Sequence, residues 1–181
     1  MTSNTTYVVL LRAVNVSGKN VIRMKDLREA ILLAGYTNVC TYIQSGNIVL
    51  NAASTPIEVE KKIRQIIKET FGLEIKVFAK SNKDLKSILK DIPPRPPIEA
   101  NRLFITVLDK TPSKELVTLL SEREFSPEWY FIKNKILYFY LPNGVSKAKL
   151  SNAFFERTLQ VNATGRNLNT INALIQLSDN G

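Results

Sequence analysis

Hydrophobic residues along this chain change repeatedly from strand-like runs to helix-like spacing. Tyr7 to Leu11 is a short run of β-branched and aliphatic residues, typical of a strand that is covered on both faces. Apolar residues at helical spacing then predict an amphipathic helix from Met24 to Ala34 that ends at Gly35. The chain therefore opens with a strand followed by a helix.

A hairpin is predicted next. Val39 to Ile43 and Ile48 to Leu50 flank a polar segment that contains Gly46. Glycine adopts the positive φ that a tight hairpin turn requires, so the two apolar segments are expected to pair as antiparallel strands.

A second helix is predicted from its first residues. Thr55, Pro56 and Glu58 have the types and spacing of a capping box with proline at the first helical position. The apolar face of this helix continues to Gly72, and Glu74 to Ala79 follows as a strand. This β-α-β-β-α-β order is that of the ferredoxin-like arrangement.

The same order restarts after a proline-rich segment. A short helix from Asn82 to Leu89 precedes Ile92 to Pro97, which belongs to neither a helix nor a central strand because proline fixes φ and lacks a donor. The sequence predicts a first half at residues 1–91, a connection at 92–99 and a second half at 100–181. The predicted segments of the second half are a strand from Leu103 to Leu108, a helix opening at Thr111 and Pro112, a hairpin of Trp129 to Ile132 and Ile136 to Leu141, a helix headed by Ser146, a strand near Val161 to Gly165 and a final helix through Ile171 to Leu177.

The predicted fold class is α+β, with two ferredoxin-like βαββαβ-type halves whose antiparallel sheets are covered by helices. Tyr7 to Leu11 and Leu103 to Leu108 are apolar at both odd and even positions, so we expect both faces of these strands to be covered. Tyr138, Phe139 and Tyr140 are expected to pack in a core rather than to stack on bases.

Composition indicates a reducing setting. With 181 residues and 44% hydrophobic content, the chain can bury a full core without disulfides or metals. The single cysteine, Cys40, has no partner for an internal disulfide, which favours the cytoplasm. The N-terminus is polar and the longest apolar run is far too short to cross a bilayer, so we expect neither secretion nor a membrane partner.

Charge and the absence of histidine narrow the chemistry. The formal net charge is +9, enough to attract phosphate-bearing partners at long range. The chain has no histidine, the commonest metal ligand and the usual general base at neutral pH. Zinc, haem and Ser-His-Asp sites are therefore not expected, and no cofactor is predicted.

Polar residues follow the predicted strands at two places, where they are rich in amides and cations and poor in carboxylates. Such groups recognise phosphate and carboxylate oxygens. The candidate ligand-binding residues are Arg12, Asn15, Lys19, Asn20, Gln44, Ser45 and Asn47 in the first half, and Lys147, Lys149, Asn152, Arg166 and Asn167 in the second. Because the first two strands of a βαββαβ unit run parallel, the first set is expected to share one end of its sheet. In the second half, the loop after the third strand is expected to share an end of the sheet with the outgoing fourth strand, so the second set is expected to meet there.

Each cluster has an ordinary alternative. Asn and Gly in the loops can simply satisfy turn geometry. Lys147 and Lys149 are predicted in the first turn of the helix headed by Ser146, where an anion would stabilise them, but they can equally extend into water. Cys40 is expected to be a buried thiol, and Ser146 a helix cap, rather than nucleophiles.

Two long segments resemble a known family. The stretch from Leu10 to Leu50, LLRAVNVSGKNVIRMKDLREAILLAGYTNVCTYIQSGNIVL, resembles the opening of the bacterial domain-of-unknown-function 1697 family. The stretch from Leu137, LYFYLPNGVSKAKLSNAFFERTLQVNATGRNLNTINALIQL, is similar to its C-terminal motif. The resemblance implies characteristic polar positions at Arg12, Asn15, Lys19, Gln44, Ser45, Gly46, Asn47, Ser146, Lys147, Asn152, Arg166 and Asn167, and it brings no activity with it.

The chain departs from the family pattern in two motifs. Where the family usually reads Arg-Gly-Ile-Asn-Val-Gly-Gly, this chain has Ala13 and Ser17, which argues against an obligatory glycine at those places. Leu168 stands where the family often has an aromatic residue, so base stacking there loses support.

These observations predict a protein that binds a phosphorylated ligand or a nucleic-acid backbone in a basic, amide-rich cleft between the halves. Arg12, Lys19, Lys147, Lys149 and Arg166 would supply charge. An enzyme acting on a phosphorylated metabolite without metal or histidine is the first alternative, and a protein-interaction module is the second. The sequence leaves open whether a reaction is catalysed and how many copies of the chain assemble.

Overall fold

A computed structural model of the protein describes residues 4–94 and 98–180. Two compact units are present, one formed by residues up to Ser87 together with residues from Ala173, the other by Ile88–Asn172. The predicted connection at 92–99 includes Arg95, Pro96 and Pro97, which lie outside the described residues. The division of the sequence into 1–91, 92–99 and 100–181 stays a prediction.

The first sheet has the strand order β2-β3-β1-β4, and every pairing is antiparallel. This is the strand order of a ferredoxin-like unit. The elements from the N-terminus are β1 (Thr5–Leu11), α1 (Met24–Leu33), β2 (Thr37–Tyr42), β3 (Asn47–Ala52), α2 (Pro56–Phe71), β4 (Val77–Ser81) and α3 (Asn82–Lys90).

The second sheet repeats this arrangement with the order β6-β7-β5-β8, again with antiparallel pairings. Its elements are β5 (Leu103–Leu108), α4 (Lys114–Ser121), β6 (Trp129–Lys133), β7 (Ile136–Tyr140), α5 (Asn152–Leu159) and β8 (Ala163–Asn167), followed by α6 (Leu168–Asp179). The predicted fold class is confirmed.

Both faces of the two central strands are buried, as predicted. In β1, Val8, Val9 and Leu10 each expose 0% of their surface. Leu103 and Thr106 of β5 are equally buried, although their side chains point to opposite faces of the sheet. Continuous burial explains why these strands are apolar at successive positions rather than at alternate ones.

The start of α2 is the one that the sequence predicts. Thr55 Oγ1 accepts from the Glu58 backbone N–H at 3.4 Å, and the Glu58 carboxylate accepts from the Thr55 backbone N–H at 2.7 Å. The Glu58 carboxylate also accepts from the Thr55 hydroxyl at 2.8 Å, and the two hydrogen bonds that it accepts hold the pKa of Glu58 below its ordinary value. Gly72 ends the helix with a φ of 66°.

Two predicted helix starts in the second unit are wrong. The first is at α4, which begins at Lys114 and is capped by Ser113 rather than opening at Thr111. The second is at α5, which begins at Asn152 and is capped by Ser151, not by Ser146.

A carboxylate from a distant part of the sequence accounts for the late start of α5. The two oxygens of Glu128 accept from the backbone N–H groups of Lys149 and Leu150 at 2.9 and 2.8 Å. These bonds hold the backbone just before α5 in a non-helical path, since the donors are already occupied.

The predicted aromatic residues of β7 are core residues, as expected. Tyr138, Phe139 and Tyr140 are all buried. Phe139 stacks on Phe104 of β5 with ring centroids 5.0 Å apart. No described helix is both long and apolar enough to cross a membrane.

Candidate functional site

The loop after β1 folds into a miniature hairpin. The Lys19 backbone N–H donates to the Val16 carbonyl at 3.0 Å, and the Asn15 N–H donates to the Asn20 carbonyl at 3.2 Å. Ser17 and Gly18 at the tip have φ values of 50° and 72°. Positive φ at both central residues is the geometry of a type I′ turn, which leaves Lys19 exposed beside the tip.

Asn15 ties this loop to the turn between β2 and β3. Its side-chain Nδ2 donates to the Gln44 carbonyl at 2.7 Å and to the Ile22 carbonyl at 2.9 Å. Its Oδ1 accepts from the Ile22 backbone N–H at 2.9 Å. One amide side chain therefore holds three backbone groups from two segments.

Backbone contacts complete the assembly. Leu11 N–H donates to the Gly46 carbonyl at 2.8 Å, and Arg12 N–H donates to the Lys76 carbonyl at 3.0 Å. A Cβ on Gly46 would lie 2.7 Å from Leu11 Cβ, so only glycine permits this approach. We call residues 12–20, residues 43–47 and Lys76 together the loop end of the first unit; it contains every candidate of the first half.

The asparagine side chains of the loop end make hydrogen bonds to other groups of the loop end and its neighbouring strand. Asn47 is fully buried, and its Nδ2 donates to the Tyr42 carbonyl at 3.0 Å and to Ser45 Oγ at 2.9 Å. Asn20 Nδ2 donates to the Ala13 carbonyl at 2.9 Å. Ordinary turn chemistry, the alternative considered for these residues, therefore accounts for the bonds that the amides make.

Left-handed backbone is concentrated at the loop end. Among the described residues, the non-glycine positions there with positive φ are Ala13, Asn15, Ser17, Asn20 and Ile43. Ile43 is the most unusual, because a β-branched residue is disfavoured at its φ of 49°. The cost is about 1 to 3 kcal/mol for a residue such as Ile43 and smaller for Asn15 and Asn20, because asparagine adopts this region readily. Such strain is typical of functional sites.

The second predicted cluster does not form as expected. Lys147 and Lys149 are exposed and precede α5 instead of lying in its first turn. Lys149 instead contributes its backbone N–H to the bond with Glu128.

Asn152 and Arg166 lie on opposite faces of the second sheet. Asn152 Oδ1 accepts from Thr106 Oγ1 at 3.0 Å, and Thr106 pairs with Gly165. Arg166 is the next residue along β8 and pairs with Ile105, so its side chain takes the other face. The expectation that these two residues meet is therefore wrong.

Arg166 is a partly buried guanidinium. Its Nη1 donates to Thr164 Oγ1 at 3.0 Å and to the Gly165 carbonyl at 2.8 Å. Burial lowers the pKa of Arg166 to about 10, which leaves the group charged at neutral pH. The neighbouring candidate Asn167 accepts from the Thr170 backbone N–H at 3.0 Å and so caps the start of α6.

Cys40 is partly exposed in β2, and burial raises the pKa of its thiol. The sequence predicts full burial of this thiol, and the partial exposure corrects that prediction. The raised pKa still makes the thiol a poor nucleophile at neutral pH. Sequence reasoning missed Lys76 at the loop end. The signal was available, because the residue before β4 lies beside the residue after β1 when these strands pair antiparallel.

Comparison with family models matches residues 4–138 to the family described as protein of unknown function (DUF1697). The chain belongs to this family. None of the curated proteins compared with the chain matches it. One similar solved structure is that of the conserved bacterial protein SP0830 from Streptococcus pneumoniae, with 22% identity and a TM-score of 0.75. The match covers 97% of this chain and 99% of that chain, and it shows a shared fold.

Two residues of the loop after β1 other than glycine and asparagine have left-handed backbone. Ala13 and Ser17, where the resemblance implies glycine, have φ values of 54° and 50°. The glycine-like conformation is thus kept without glycine, at a cost of roughly 1 to 2 kcal/mol per residue.

Proposed function

We propose that the loop end of the first unit binds phosphate groups, either of a phosphorylated ligand or of a nucleic-acid backbone. The observation that carries the proposal is the Asn15 bridge, which fixes a strained loop against the β2–β3 turn and so fixes the backbone from which Lys19 extends. A preset site loses little conformational entropy when a ligand binds. Non-glycine residues with positive φ cluster at functional sites, where their geometry contributes to binding.

The charges of the loop end support an anionic partner. Arg12, Lys19 and Lys76 belong to it, and it contains no aspartate or glutamate. Gln44 is exposed beside them and can donate or accept hydrogen bonds. Cations and amides favour phosphate over a metal ion or an apolar ligand.

The net charge of +9 supports a polyanion over a neutral metabolite as the attracting partner. The proposal includes a reducing, cytoplasmic setting, in which Cys40 stays a thiol. The location of the ligand in a cleft between the halves stays a prediction from the sequence.

Lys19→Gln tests the proposal most directly, because Lys19 is exposed and its side chain is no part of the Asn15 bridge. Lys83→Gln is the matched control, since Lys83 is an exposed residue of α3 outside the loop end. Binding of a labelled single-stranded oligonucleotide should weaken about two- to fivefold in Lys19→Gln alone. The slope of log K against log salt should also decrease by about 0.7.

Equal losses in Lys19→Gln and Lys83→Gln would overturn the proposal, because they would mean diffuse attraction by net charge. A thermal-shift panel of mononucleotides separates the two ligand classes. Stabilisation by one small phosphate compound would identify a metabolite site, whereas binding of polymers only would identify the nucleic-acid backbone.

A further inference from the structure

Both edge strands of the first sheet are capped by a charged side chain from a helix. The Val39 carbonyl in β2 accepts from Arg28 Nε of α1 at 2.8 Å. The Ala79 N–H in β4 donates to the Glu60 carboxylate of α2 at 2.9 Å. Both backbone groups point away from the neighbouring strand, on the side where a further strand would otherwise bind.

One edge of the second sheet is capped in the same way. The Ala163 N–H in β8 donates to the Glu156 carboxylate of α5 at 2.7 Å, and the Gly165 carbonyl accepts from Arg166 Nη1 at 2.8 Å. Charged side chains at a sheet edge hinder pairing with another chain. Three of the four edge strands in the described part of the chain therefore carry such a cap.

The fourth edge strand is β6, and the direction of its backbone groups follows from the pairing of β7 with β5. Leu141, which follows β7, donates its N–H to the Arg102 carbonyl at 3.0 Å, and the carbonyl of Lys135, which precedes β7, accepts from the Leu108 N–H at 2.8 Å. The odd-numbered residues thus bind β5. Because backbone groups alternate in direction along a strand, the even-numbered residues of β7 bind β6.

The backbone groups of Tyr130 and Ile132 consequently point outward from β6. The register pairs the even-numbered residues of β7 with Trp129, Phe131 and Lys133, which use their backbone groups within the sheet. In the described part of the chain, no group bonds to the outward N–H or carbonyl of Tyr130 or Ile132. Another strand can therefore pair with β6.

We propose that β6 pairs antiparallel with β6 of a second copy of the chain, around a two-fold axis at Phe131. Tyr130 exchanges hydrogen bonds with Ile132 of the partner subunit, and the symmetry repeats this exchange. Phe131, which exposes 40% of its surface, lies opposite the partner's Phe131, and Trp129 lies opposite the partner's Lys133. The occupant is a second copy because these aromatic and cation–aromatic pairs make the strand self-complementary, with no like charges opposite each other. The pairing is independent of the proposed phosphate site, which lies in the first unit.

Sedimentation equilibrium of the full-length protein measures this association. The wild-type protein should dimerise reversibly, and Phe131→Lys should weaken dimerisation about tenfold, because like charges would then lie opposite each other at the axis. Leu119→Lys is the matched control, since it replaces another exposed apolar residue of the second unit, in α4, and should leave dimerisation unchanged. A wild-type protein that stays monomeric at about 1 mM would overturn the proposal. So would equal effects of the two substitutions.

Mixing two variants separates loss of pairing from loss of folding. Phe131→Glu should dimerise as weakly as Phe131→Lys, and an equal mixture of the two should regain dimers because opposite charges meet at the axis. A mixture of folded variants that does not associate would overturn the proposal.

Hydrogen exchange tests the pairing without any substitution. The backbone N–H groups of Tyr130 and Ile132 should exchange more slowly as the concentration of wild-type protein rises, because pairing removes them from water. Ser146, exposed in the loop before α5, should show no such change. Dimers that leave exchange at Tyr130 and Ile132 unchanged would overturn the proposal.

Discussion

Asn15 shows how much of the loop end depends on a single side chain. Its amide satisfies three backbone groups that would otherwise have to find water. Asn20 makes one such bond, to Ala13. The sequence predicted that Asn15 and Asn20 lie in one cluster, but it predicted that their side chains bind a ligand. Residue type alone does not separate the two roles, because an amide that orients a ligand and one that bonds a turn have the same donors and acceptors.

Asn15→Ala should lower the free energy of unfolding by about 1 to 3 kcal/mol, because it leaves partly buried backbone groups without partners. Asn20→Ala is the matched control and should cost less, about 0.5 to 1.5 kcal/mol for a single bond. Urea denaturation measures both values. An equal or larger loss in Asn20→Ala would show that Asn15 does not hold the loop end together.

At the scale of elements, the sequence predicted a helix start correctly where neighbouring residues determine it. It failed where a residue far away in the sequence determines the start. The start of α2 depends on Thr55 and Glu58, three residues apart, and the prediction was confirmed. The start of α5 depends on Glu128, 22 residues before Leu150. The faces taken by Asn152 and Arg166 likewise depend on the register between β5 and β8, which the sequence does not state.

Ser151→Ala and Ser146→Ala test this account of α5. Ser151 Oγ accepts from the Phe154 backbone N–H at 3.1 Å, so its loss should destabilise the protein by about 1 kcal/mol. Ser146 is exposed and outside the helix, and its replacement should change stability by less than about 0.5 kcal/mol. Thermal unfolding of both variants is the measurement, and the reverse order would restore Ser146 as the cap.

At the scale of the whole molecule, the first compact unit is built from two distant parts of the chain. Asn82 Nδ2 donates to Ser178 Oγ at 2.5 Å, and Lys86 Nζ contacts the Asp179 carboxylate at 2.5 Å. These contacts join the start of α3 to the end of α6 across more than 90 residues of sequence. A division of the sequence into an N-terminal and a C-terminal half assigns α3 and the end of α6 to different halves. Their contact follows only from the three-dimensional fold, which brings the C-terminal residues back to the first unit.

The ion pair between Lys86 and Asp179 should make stability depend on pH. The hydrogen bond from Lys86 lowers the pKa of Asp179 below its ordinary value of 3.8, with a further contribution from Asn82. A carboxyl whose pKa is lowered by folding stabilises the folded state above its unfolded pKa, and that contribution is lost as pH falls through the folded value. The wild-type protein should therefore be more stable than Asp179→Asn at neutral pH, and the difference should shrink below about pH 4. Urea denaturation across this range measures the stability difference between the two proteins. Lys86→Met is the control background. In that background, the effect of Asp179→Asn should lose most of its pH dependence, because the two groups share one interaction. An unchanged pH dependence in that background would mean that Lys86 does not hold the Asp179 carboxylate in solution.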